Sequence, residues 1–141
     1  MAKLEVSRRE FYNAFKAHRL LYTKTEQQSN ASLTCLFYAI ECGLKSIIMK
    51  RECREVSGSR EEELSHDINK MLNALSSPQV LLIDNQIQLK PLKNPDRERK
   101  ASQKYINQVL RYGMTFHHDE MKNTLAEKLT TIMVWIEGEL K

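Results

Sequence analysis

One segment limits the possible folds more than any other. Between about Gln27 and Arg54, Leu33, Leu36, Phe37, Ile40, Leu44, Ile47 and Ile48 recur at helical spacing and form a broad apolar stripe. A second stripe of small side chains, Cys35, Ala39, Cys42 and Ser46, lies beside it. Small residues let another helix approach closely. A helix with two usable faces belongs at the centre of a helical assembly, covered on both sides. Glu41 and Lys45 stand four apart in the favourable order and read as a surface or interface pair.

The rest of the chain supplies candidate partners. Phe11, Phe15 and Tyr22 mark an amphipathic helix over about Ser7–Thr23, flanked by Arg8, Arg9, Lys16 and Arg19. Ser59 to Glu62 fits a capping box, and Leu64, Ile68, Met71, Leu72 and Leu75 continue a helix to about Ser76. A start at Ser65, with 55–64 as loop, fits as well. The run 80–90 reads as a short hairpin turning at Asp84–Asn85, or as an extended loop. Asn94 and Pro95 predict the cap and first position of a fourth helix, with Gly113 as its stop. A fifth begins near Thr115–Asp119 and carries Met121, Leu125, Leu129, Ile132, Met133, Ile136 and Leu140. With four glycines and three prolines in 141 residues there are few breaks. The expectation is one all-α domain over 1–141, an up-down bundle of four to five helices.

Charge and cysteine usage narrow the classes further. Seven of the basic side chains fall within 90–111 against two acids there, a local excess that accounts for the whole net charge of +4. Such a stripe attracts phosphates, and it is equally the signature of a solvated helix face. The opening MAKLEVSRREF lacks the apolar core of a signal peptide, and no run approaches the ~18 apolar residues of a membrane span. Three cysteines without a Cys-x-x-Cys pair read as reduced thiols, which implies a cytoplasmic setting. Glycine-rich phosphate loops, serine nucleophile elbows and dinucleotide fingerprints are absent from the sequence, and neither a metal nor a cofactor is expected.

Three strings in order resemble a known family. YAIECGLKSIIMKR (Tyr38–Arg51), SHDINKML (Ser65–Leu72) and YINQVLRYG (Tyr105–Gly113) are similar to successive helices of the HEPN superfamily, over roughly residues 10–140. The resemblance implies a compact helical bundle that dimerises. Many members are metal-independent endoribonucleases of toxin–antitoxin or antiphage systems, marked by Arg, four to six residues, then His. Others are non-catalytic binding modules that work with a protein encoded nearby and, in some cases, with a nucleotide.

Arg111 meets that spacing with both His117 and His118. In the catalytic reading Arg111 holds an RNA phosphate, one histidine moves the proton of a ribose 2′-OH, and Arg97, Arg99, Lys100 and Lys104 steer the strand. In the competing reading LRYGMTFHHDE is a corner. Gly113 then takes a left-handed conformation, Arg111 finds a local partner, and the histidines open the last helix. Tyr112 stands where catalytic members carry a polar residue. His66–Asp67 resembles part of a metal-dependent phosphohydrolase signature, but a lone pair fits packing or capping better.

Overall fold

The computed structural model describes residues 4–25, 29–92 and 97–141. Its axis is α2, Asn30–Arg51, capped by the Ser29 hydroxyl accepting from the Ser32 amide. By length and composition α2 could cross a membrane, contrary to the sequence expectation, but 78% of its most apolar window is buried inside the protein. Its apolarity answers to neighbouring elements on all sides. Leu33, Leu36, Phe37, Ile40 and Leu44 have no exposed surface.

α1, Arg8–Lys24, begins at a capping box formed by Ser7 and Glu10. It runs antiparallel to α2. Ser7 bridges to Val56, Phe15 meets Gly43, and the Thr25 hydroxyl donates to that of Ser32. A Cβ at Gly43 would lie 2.7 Å from Ile136 and 2.9 Å from Phe15, so α1, α2 and α6 (Asp119–Glu139) meet at this one residue.

The expected third helix is two. α3, Ser59–Leu64, and α4, Ile68–Ala74, are separated by a reversal at Ser65, whose φ of 50° is left-handed. Arg54 pairs with Glu61, His66 then lies beside Glu41 further back along α2, and the Arg51 guanidinium donates to the Leu75 carbonyl. The chain has gone down α2, come back up to the level of Glu41 at His66, and run down again to Arg51 at Leu75. Asp67 caps α4 by accepting from the Lys70 amide, the role expected of a lone His-Asp pair.

The all-α expectation is corrected by a small antiparallel sheet. β1, Gln86–Leu89, carries the alternation read in the sequence, with Ile87 and Leu89 buried. Its partner is not 80–83, where the chain makes a 3-10 turn over Gln79–Leu81, but β2, Arg99–Ser102, in the register Gln86↔Ser102 to Leu89↔Arg99. The fourth helix shrinks accordingly. After a 3-10 turn at Gln103–Tyr105, α5 spans only Ile106–Arg111. The Asn94–Pro95 cap lies outside the described residues.

Candidate functional site

The junction after Arg111 is built by a helix stop. Gly113, at φ 65°, donates to the Leu110 carbonyl, and the Met114 amide donates to that of Val109. This is a Schellman closure, and its left-handed position suits a residue without Cβ. The chain then straightens against β1. The Lys90 amide donates to Thr115, Leu89 bridges to Phe116, and the His117 amide donates to Gln88. Phe116 is buried and anchors this stretch.

That path separates the sequence-predicted catalytic residues. The Arg111 Nη2 donates to the Tyr38 hydroxyl at 2.9 Å, and its guanidinium sits 5.8 Å from the Tyr112 ring centroid. The Tyr38 hydrogen bond, with that of Tyr112, holds the arginine above its usual pKa. Arg111 therefore faces α2 and α1, where His18 stands 6.1 Å from Tyr38 ring to ring. His117 and His118 lie beyond an extended stretch from Met114 that covers about 10 Å. Both are exposed, with ring centroids 4.3 Å apart. Among the described residues no hydrogen bond or ion pair joins Arg111 to either histidine within the chain.

The basic residues also move relative to expectation. Arg99 and Lys100 lie on β2, Arg97 is exposed just before it, and Lys104 sits in the following turn, 5.3 Å from the Tyr105 ring. A cavity of about 220 Å³ is walled by Gln88, Leu89, Glu98, Arg99, Lys100 and His117. The structure thus brings His117 together with Arg99 and Lys100. Glu98 already holds Lys100 at 3.1 Å, which leaves the arginine fork as the freer cation.

The Glu41–Lys45 pair expected from the sequence forms, but it is buried and extended by His66. Glu41 and Lys45 are not a surface pair. Both are buried, with Glu41 Oε2 3.1 Å from Lys45 Nζ, and Glu41 Oε1 lies 2.6 Å from His66 Nδ1. Burial pushes the adjacent Cys42 thiol up to about 11, with Glu41 adding to the shift and Lys45 opposing it. The available signal was the two-faced apolarity of α2, which leaves no wet side in mid-helix. His66 is oriented by a buried carboxylate, an arrangement suited to fixing a ring tautomer. Among the described residues no group of three or more His, Cys, Asp or Glu side chains could hold a metal ion. Comparison with protein-family models, with curated proteins and with solved structures gave no match.

Proposed function

We propose that the protein is an RNA-directed, HEPN-like homodimer of a cytoplasmic prokaryotic defence or toxin–antitoxin module, and that the Arg99–Lys100–His117 edge receives the RNA. The observation that carries this reading is the shared wall of one cavity by these three side chains. An arginine fork and an ammonium group attract a phosphate, and a neighbouring imidazole can accept the proton of a ribose 2′-OH. Metal-independent cleavage then requires Arg111 to come from the second subunit across a two-fold axis, because its partners within the chain lie elsewhere. Incubation with structured and unstructured RNA in EDTA tests this. Cleavage that disappears in both Arg111→Ala and the double His117→Ala, His118→Ala variant supports it. RNA binding should weaken roughly tenfold in Arg99→Ala, Lys100→Ala, with a shallower salt dependence. Unchanged RNA affinity in that variant sinks the assignment of the edge.

The Arg111–Tyr38 hydrogen bond favours a second reading, a non-catalytic dimerisation or partner-binding module that works with a protein encoded nearby and binds nucleotide or none. Arg111 then braces α5 against α2. Intact RNA after long incubation, together with a stable dimer in sedimentation, selects this reading.

A further inference from the structure

An unassigned concavity lies away from the β1–β2 edge, between α1 and the C-terminal half of α2. It is a cleft of about 370 Å³. Arg8, Arg9, Tyr12 and Lys16 reach it from α1, at the spacing that places residues on one helix face. Ser46 and Lys50 reach it from α2, again one turn apart. Glu55 is the one acid in its wall, and Arg8 holds that carboxylate at 3.1 Å. The charges of Arg9, Lys16 and Lys50 are left without an ion-pair partner among the described residues. Lys16 stands 4.5 Å from the Tyr12 ring centroid. The floor adds one hydroxyl donor. Ser46 is 2% exposed, lines the cleft, and its hydroxyl has no hydrogen-bond partner among the described residues. A helical serine commonly donates back to the preceding turn, and here it does not.

We propose that this cleft binds a phosphate group. Three uncompensated cations surround it, and the Ser46 hydroxyl donates from below. The phosphate belongs either to an RNA backbone, in which case the inference rests on the RNA reading above, or to a free phosphate or small phosphate ester. The hairpin edge lies by the N-terminus of α2, where the Asn30 side chain meets Met114. Ser46 is about 24 Å further along that helix. The two sites are therefore separable by mutation.

The test is titration of the full-length protein with inorganic phosphate at low ionic strength, followed by calorimetry. The wild type should bind, the exposed double variant Arg9→Gln, Lys50→Gln should lose about tenfold or more, and Ser46→Ala about fivefold. Circular dichroism establishes that each variant is folded, and the double glutamine variant alters only exposed positions if Ser46→Ala fails to fold. A short single-stranded RNA separates the sources. Competition between RNA and phosphate, lost in Arg9→Gln, Lys50→Gln and retained in Arg99→Ala, Lys100→Ala, identifies the backbone. Phosphate binding without such competition identifies the free anion. Absence of phosphate binding to the wild type, or equal binding to the double variant, overturns the inference. Neither overturning result touches the hairpin edge, whose own variant reports on it separately.

Discussion

Glu41 accepts from one ammonium and stands against one imidazole while only 8% exposed. A buried charge of this kind is tolerated because its partners sit within hydrogen-bond reach. Removing it alone strands the Lys45 ammonium, also 8% exposed. Glu41→Gln is therefore expected to cost about 3 kcal/mol in chemical denaturation, whereas a joint Glu41→Met, Lys45→Met replacement should cost far less. Two positions further on, Gly43 is restricted by space rather than by conformation. The nearest heavy atoms to an added Cβ belong to Ile136 and Phe15, both well packed in the core. Gly43→Ala should lower stability by about 1–3 kcal/mol, read from the denaturation midpoint at unchanged slope.

Among the elements, the α3–α4 reversal carries strain that a substitution can relieve. Ser65 holds φ 50° and ψ −122°, a combination that glycine reaches without steric cost. Ser65→Gly should raise stability by about 0.5–1 kcal/mol, measured by thermal unfolding; a loss would mean that the hydroxyl matters more than the backbone. This reversal was invisible to periodicity because Leu64, Ile68, Met71, Leu72 and Leu75 keep helical spacing across the break. The alternative start at Ser65 located the break but mistook α3 for loop. By contrast α1, α2 and α6 were legible almost to their ends, since long apolar stripes are local signals. The sheet was half legible. Ile87 and Leu89 announced a strand, yet its partner begins ten residues beyond Leu89, and no short-range pattern encodes that pairing. The same limit governed the candidate site. Arg111 and the histidines matched a spacing, but spacing cannot say that the Gly113 turn and the pairing of 115–117 with β1 would send them to different neighbours.

At the scale of the whole molecule, the loop after α2 is fastened by Arg54 and Glu61. The guanidinium donates to both carboxylate oxygens at 2.6 Å, and the Gly58 amide donates as well. Burial alone would raise the Glu61 pKa, but these bonds outweigh it and hold the carboxyl below its usual value of 4.5. A depressed folded-state pKa adds stability above the unfolded value, and that stability is lost as pH falls through the folded one. The wild type should therefore lose stability progressively as pH falls below about 4.5, and Glu61→Gln should flatten that part of the profile while lowering the plateau near neutrality. A profile unaltered by the substitution would remove Glu61 from the account. The small sheet has an organisation of its own. β1 is hydrogen-bonded along its length by β2 on one side and, at its Gln88–Leu89 end, bridged to 115–117 on the other. That shortens the open ladder it offers to a passing chain. The rims that remain are short, and Arg99 and Lys100 stand on one of them, so like copies meeting there repel before they can zip together.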